Sequence, residues 1–292
     1  MSEAVATMAG SRTMPWGRNV LLEVRRYRLA GVSVLVLVLV TLVAIFAPWV
    51  APYSPTSFGG VPLSPPSGAH LLGTDELGRD VLSRVMYGGR ISMSVAIGSV
   101  LLGGFVGTAL GLVSGYVGGV IDNLLMRLMD ALLAFPSLVV AIVLVTALKA
   151  SLQNVIIAIA ITAIPTYARL MRGQVLVTKE REYIEAARAL GLGELRIMAR
   201  HVTPNSVQIV IIQASINAAG AILTEASLSF LGFGVPPPTP TWGGLLHDSY
   251  PLLQVAPWIA IVAGAAISVA SLSFTFIGNA VRDLLDPRAR IF

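Results

Sequence analysis

The 292-residue chain contains no cysteine. That removes disulfide frameworks, thiolate metal sites and cysteine nucleophiles. Charge is also scarce: Asp, Glu, Lys and Arg make up 12% of the residues, about half the share of an average soluble domain. Lysine occurs only at Lys149 and Lys179, and neither follows a glycine. A Gly-Lys-Ser/Thr phosphate loop is therefore absent, and the chain is not an ATPase of that type. Residues 232–254 contain no Lys or Arg at all.

Apolar sequence is what the chain has in abundance, with 55% hydrophobic residues and a mean hydropathy of +0.80. The bilayer is the solvent that suits such a composition. A span needs about 20 apolar residues, and six fit: Leu29–Val50, Ile91–Tyr116, Leu124–Leu148, Leu152–Met171, Ser206–Leu231 and Val255–Ile277. The first follows Arg25, Arg26 and Arg28. It is longer than a signal-peptide core and lacks a clear small-x-small cleavage site, so it reads as a retained anchor. The very short turn between the third and fourth runs predicts a tight hairpin. The expected class is an all-α integral membrane protein with six transmembrane helices.

Orientation follows from the basic residues. With the N-terminus inside, the inner segments and span ends hold Arg12, Arg18, Arg25, Arg26, Arg28, Arg127, Arg169, Arg172, Lys179, Arg181, Arg188, Arg196, Arg200, Arg282, Arg288 and Arg290. The outer segments hold Arg79, Arg84, Arg90 and Lys149. The positive-inside rule then places both termini in the cytoplasm. The net charge of +5 is a topology signal and does not point to nucleic acid. The organisation expected is a cytoplasmic segment 1–28, a first span 29–51, an outer loop 52–90, a core 91–278 and a cytoplasmic tail 279–292.

In the outer loop, Pro52, Pro55, Pro62, Pro65 and Pro66 keep the chain extended. From Asp80 onward Val81, Leu82, Val85 and Met86 have helical spacing, with Arg84 on the other side. That pattern predicts an amphipathic interfacial helix before the second span. Asp75, Glu76 and Asp80 beside Arg79 could hold a cation, but capping and pairing within this loop is the simpler reading. Gly103, Gly107, Gly111 and Gly115 recur every four residues on one face of the second span and let a neighbouring backbone approach. Static packing is favoured here over a sliding surface. Phe135-Pro136 should kink the third span. Gln213, Asn217 and Glu225 in the fifth span are polar groups that lipid rejects. They should face the interior, as candidates for a translocation path or as structural hydrogen bonders.

The segment 173–205 differs from everything around it. Residues 179–190 read as a short charged helix. Glu180, Glu182 and Glu185 lie near its positive end, and Arg188 is spaced to pair with Glu185. Ala186, Ala187 and Ala189 are small, strong helix formers, and Gly191 follows as a left-handed cap. A second helix over Glu194–His201 leads to Thr203-Pro204, which fits an N-cap and first helical position. Such a segment either offers a face to a soluble partner or is a solvated loop helix with none.

Glu185-Ala186-Ala187, Gly191 and Pro204, with Arg200-His201-Val202-x-Pro204-Asn205, resemble the EAA loop of binding-protein-dependent ABC importer permeases, peptide branch. Three more stretches are similar to that branch. They are Gly73-Thr74-Asp75-Glu76-Leu77-Gly78-Arg79-Asp80, Leu125-Met126-Arg127-Leu128-Met129-Asp130, and Leu228-Ser229-Phe230-Leu231-Gly232 with Trp242-Gly243. Thr203 stands where Leu is usual. The resemblance covers roughly residues 25–290, and the Gly-Thr-Asp stretch points to the "C"-type subunit of dipeptide and oligopeptide importers.

The resemblance implies a type I ABC importer permease fold and a heterodimer with a second, homologous permease. It implies two cytosolic ATPases that bind ATP and Mg, an extracytoplasmic solute-binding protein, and residence in the bacterial inner membrane. This chain would hold no cofactor or metal and carry no catalytic residue. Glu182, Glu185, Ala186, Ala187, Arg188 and Gly191 would form the ATPase contact. Two other readings exist. An ion-coupled secondary transporter needs an internal repeat, and none is evident. An intramembrane hydrolase needs a serine near a histidine. His70 and His247 are expected outside and His201 inside, away from any candidate serine. The resemblance leaves the solute open among dipeptides, longer peptides, nickel chelates and glutathione-like molecules.

Overall fold

The computed structural model describes residues 16–285. Most of the expected N-terminal segment and part of the expected tail lie outside that range. Among the described residues the regular structure is helical: α1 (Trp16–Ile45), α2 (Ala47–Val50), α3 (Val81–Val117), α4 (Gly119–Leu133), α5 (Ser137–Leu148), α6 (Leu152–Lys179), α7 (Glu182–Ala189), α8 (Glu194–Ile197), a π-turn (Met198–Val202), α9 (Thr203–Ser206), α10 (Gln208–Phe230), α11 (Trp242–Ser249) and α12 (Pro257–Leu285). Five helices are long and apolar enough to cross a membrane, and α4 with α5 makes a sixth, broken span. One end of the bundle gathers Arg172, Lys179 and Arg188. The other carries the Pro-rich loops.

Several sequence expectations need correction. The interfacial helix before the second span does not exist as a separate element, because α3 runs unbroken for 37 residues. Arg84 is not on a wet face; it is buried, because Asp75 accepts a hydrogen bond from its Nη1. Pro136 does more than kink its span: α4 and α5 meet at 92°. A proline at 136 cannot donate to the helical ladder and disfavours helical geometry at Phe135. The α5–α6 hairpin is as tight as its short turn predicts. Ser151 Oγ accepts from Asn154 N at 3.2 Å, and Asn154 Nδ2 donates to the carbonyls of Leu148 and Lys149 at 2.7 and 2.9 Å.

The glycine ladder of α3 meets the backbone of α6. A methyl group added at Gly103, Gly107, Gly111 or Gly115 would lie 2.7, 2.6, 2.3 and 2.9 Å from the carbonyl oxygens of Ala160, Ile164, Ala168 and Arg172. Both series advance by four residues in the same direction, so the two helices run parallel with ridge against backbone along four turns. Contact this close lets dispersion act between main chains where lipid offers no hydrophobic drive.

The loop 52–80 is folded, not merely extended. Thr74 Oγ1 donates to Val61 O at 2.6 Å and accepts from Ser64 N at 2.8 Å. Asp75 accepts from the backbone N–H of Leu77 and Arg79, each at 2.9 Å, and from Arg79 Nε at 2.7 Å. Asp80 caps α3 through Ser83 N at 2.8 Å. Asp75 and Asp80 thus pair and cap as the simpler reading held, while Glu76 is exposed. Among the described residues no acidic or histidine group has the geometry of a metal site.

The ladder gives a graded test. Gly111→Ala forces a methyl into the Ala168 carbonyl and should destabilise the protein by about 1–3 kcal/mol or more. Gly104, one residue off the ladder, has its nearest neighbour, Tyr167, at 3.5 Å. Gly104→Ala should therefore fold normally. Thermal stability of the detergent-purified protein by size-exclusion chromatography separates the two; equal behaviour would refute the helix contact.

Candidate coupling surface

The segment after α6 stays attached to the bundle through one face of α7. Ile184 and Ala187 are buried against Met171 and Val175 of α6, together with Ile197 and Val202. The opposite face, with Glu182, Glu185, Ala186 and Arg188, is exposed. Only Ala186 of the alanine pair is therefore presented to a partner; Ala187 belongs to the chain's own core. The helix starts later than residue 179, at Glu182, because α6 continues to Lys179. Glu182 and Glu185 lie in its first turn, where they complement the helix dipole.

Gly191 closes α7 as the sequence suggests. Its φ is +77°, a conformation that residues with a β-carbon adopt at a cost. Gly191 N donates to Arg188 O at 2.9 Å and Leu192 N to Ala187 O at 3.2 Å, the paired bonds of a Schellman cap. No side chain crowds Gly191, so its requirement is conformational.

Arg188 does not pair with Glu185. Its Nε donates to Glu194 Oε1 at 3.1 Å. Tyr116, at the end of α3, also donates to Glu194, both to the carboxylate and to the backbone oxygen. The hydrogen bonds from Tyr116 and Arg188 hold the Glu194 carboxyl below its ordinary range. Tyr116 and Glu194 went unnoticed in the sequence, since 78 residues separate them and no periodicity links them. Nearby, Lys179 Nζ donates to Gly115 O at 3.0 Å, and Arg172 donates twice to Asp122, at 2.6 Å each. The ends of α3, α4 and α6 and the segment 182–194 are thus joined by charge-assisted bonds.

Thr203 does not cap a new helix, because the chain is already helical on both sides of it. Pro204 has no N–H to give, and the turn before it widens to π geometry. Thr203 Oγ1 donates to Met198 O at 2.9 Å, and Asn205 Nδ2 donates to His201 O at 2.6 Å. Ser206 and Thr178 hydroxyls meet at 3.2 Å. A cavity of about 710 Å³ opens beside α7, lined by Gln174, Glu182, Tyr183 and Asn205 among others.

The three polar groups of the fifth span separate. Gln213 Nε2 donates to Asn217 Oδ1 at 2.8 Å, one turn apart on α10. Glu225 is fully buried. Its two oxygens accept from Ser92 of α3 and Ser229 of α10, each at 2.8 Å. That joins the fifth span to the second. Among the described residues no hydrogen bond joins a histidine ring to a serine hydroxyl: His70 Nδ1 meets Asp80 at 2.9 Å, while Ser83 donates to the same Asp80.

Comparison with known proteins decides the family. Residues 107–291 match the binding-protein-dependent transport system inner membrane component. Residues 15–66 match the N-terminal transmembrane domain of oligopeptide transport permease C. The chain is a member of this permease family. The permease is 41% identical over 278 residues to the dipeptide transport system permease protein DppC of Alkalihalophilus pseudofirmus, covering 94% of this chain and 91% of that one. It is 41% identical over 263 residues to the glutathione transport system permease protein GsiD of Pectobacterium atrosepticum, covering 89% and 86%. The DppC of Haemophilus influenzae is 40% identical over 273 residues, covering 91% and 92%. The permease is thus an ABC transporter component of the peptide type, and its helical architecture fits that fold.

Glu225 provides the local test. Glu225→Gln keeps an acceptor and the shape, and should leave assembly and melting temperature nearly unchanged. Glu225→Leu strands two buried hydroxyls, at about 1–3 kcal/mol each, and should lower the melting temperature clearly. Equal melting temperatures for the two variants would show that the Ser92 and Ser229 bonds do not hold the helices.

Proposed function

We propose that the permease forms half of a translocation pore for di- or oligopeptides in the bacterial cytoplasmic membrane. A homologous permease supplies the other half, a solute-binding protein delivers solute from outside, and two cytosolic ABC ATPases bind ATP and Mg. Both termini face the cytoplasm. The observation that carries this reading is α7. It is a short helix with an exposed acidic and small-residue face, backed by a buried apolar face and tied by Tyr116 and Arg188 to a rigid bundle end. Motion imposed on such a helix passes into α3, α6 and α10 instead of being absorbed by a loose loop.

On this reading Glu182, Glu185, Ala186, Arg188 and the Gly191 turn meet the ATPase, and Ala187 supports them from behind. Gln213 and Asn217 remain the candidates for contact with passing solute. Glu225 serves the α3–α10 junction. An exposed apolar groove of about 500 Å³ between α3 and α10, lined by Leu101, Phe105, Leu112 and Ile211 among others, is left for lipid or the second permease.

Glu185→Lys reverses a charge on the exposed face, and Gly191→Asp puts a β-carbon at φ +77°. Both variants should insert and fold, since neither side chain packs inside the bundle. Both should lose co-purifying ATPase and solute uptake by at least tenfold, the scale of losing a few kcal/mol of interface. Wild-type assembly and uptake in both would sink the coupling assignment.

Topology can be read independently. Reporter fusions after residues 60, 150 and 245 should report outside, and fusions after residues 118 and 190 and at the C-terminus should report inside. An outside signal at 190 would remove any contact with a cytosolic ATPase.

A further inference from the structure

At the Pro-rich end, two buried arginines share an unequal pair of carboxylates. Asp75 is fully engaged, holding Arg79 and Arg84 and two backbone N–H groups. Asp248 on α11 is different. It stands 3.3 Å from Arg84 Nη2 and 4.0 Å from Arg79 Nη2, and its side chain is 33% exposed, against 6% for Arg84. Arg84 Nε is buried with no hydrogen-bond partner. Arg79, Arg84 and Asp248 line a cavity of about 360 Å³, together with buried Thr241 and exposed Glu76 and His247. A cavity of that size suits a small molecule.

Charge balance narrows the ligand. A carboxylate entering the cavity can replace Asp248 on the two guanidiniums, and arginine favours such planar, forked pairing. A plain anion would then leave Asp248 and Glu76 without a counter-charge. A ligand that also carries an ammonium group satisfies both ends. We propose that this cavity is an entry subsite for a small zwitterion. Its carboxylate lies on Arg79 and Arg84 in place of Asp248, and its ammonium lies between Asp248 and Glu76. The inference rests on the importer reading for its solute class, because free peptides are zwitterions.

The experiment uses the full permease assembled with its partner permease and ATPases in nanodiscs, without the solute-binding protein. Equilibrium binding of radiolabelled dialanine is competed with unlabelled dialanine, N-acetyl-dialanine or dialanine amide. Each blocked peptide should need at least a tenfold higher concentration than dialanine. In Asp248→Asn the two arginines keep only the Asp75 carboxylate, so N-acetyl-dialanine should bind more tightly and dialanine less, and the two should converge. Glu76→Gln, at an exposed loop position, should weaken dialanine a fewfold and spare N-acetyl-dialanine.

Absence of dialanine binding at millimolar concentration, or equal competition by all three peptides, overturns the proposal. So does an unchanged preference in both variants, which would place the ligand elsewhere. ATPase co-purification is read on the same assembly, and ATP-driven uptake on the same complex in proteoliposomes with the solute-binding protein added. If they persist with no binding at this cavity, the subsite fails and the importer reading stands. If they are lost while binding persists, the reverse holds.

Discussion

The constraint on which the rest of this protein depends is the contact of α3 glycines with the main chain of α6. Four carbonyl oxygens of α6 sit where β-carbons would otherwise be. Everything at the basic end depends on that register. It puts Gly115 O within reach of Lys179 and Ser114 beside Asp122. It also sets Tyr116 against Glu194. A shift of α3 along α6 by even one residue would put side chains into that backbone and misplace each of these partners. Two parallel helices held by small residues are therefore a ruler for the segment 182–194, as well as a packing solution.

Polar groups in the apolar bundle are spent on junctions. Arg172 and Asp122 fix α6 to the start of α4 with two bonds. Glu225 fixes α10 to α3. Trp242 Nε1 donates to Val85 O at 2.9 Å, tying α11 to the start of α3. At the buried Glu225, removal of a partner would leave a desolvated group short of a bond, which costs more than the bond contributes when made. Such groups specify which helix face meets which. The apolar stripes alone do not, because lipid is as good a neighbour for leucine as another leucine is.

Much of the architecture could be read from the chain because hydropathy and punctuation are local signals. The hydrophobic runs marked the spans, Pro136 the break and Gly191 the end of α7. The ladder Gly103, Gly107, Gly111 and Gly115 declared a close approach but not its partner. What stayed hidden depends on distant residues. Arg84 looked like the wet side of an amphipathic helix, and it is buried only because Asp75 and Asp248 meet it from other segments. Ala187 looked like part of an exposed alanine patch, and its burial depends on how α7 is rolled against Met171 and Val175. Helical spacing gives two sides but not which one is wet when both are small. Arg188 had Glu185 at the right interval on the helix, yet Glu194 across the turn offered the ion pair that Tyr116 also supports.

The two ends of the protein are coupled by single elements. At about 1.5 Å per residue, α3, 37 residues long, spans roughly 55 Å, enough to cross a membrane and project from it. Its first turn carries Arg84 and is capped by Asp80; its last holds Tyr116 against Glu194. A helix of this length cannot flex at one end without tilting at the other unless something breaks it, and α3 has no proline within it. The broken span α4–α5 is its opposite: it can bend at 135–136 without dragging the rest. The chain thus combines a long helix without proline, α3, and a jointed neighbour. Displacement of α7 would be transmitted by the first and accommodated by the second.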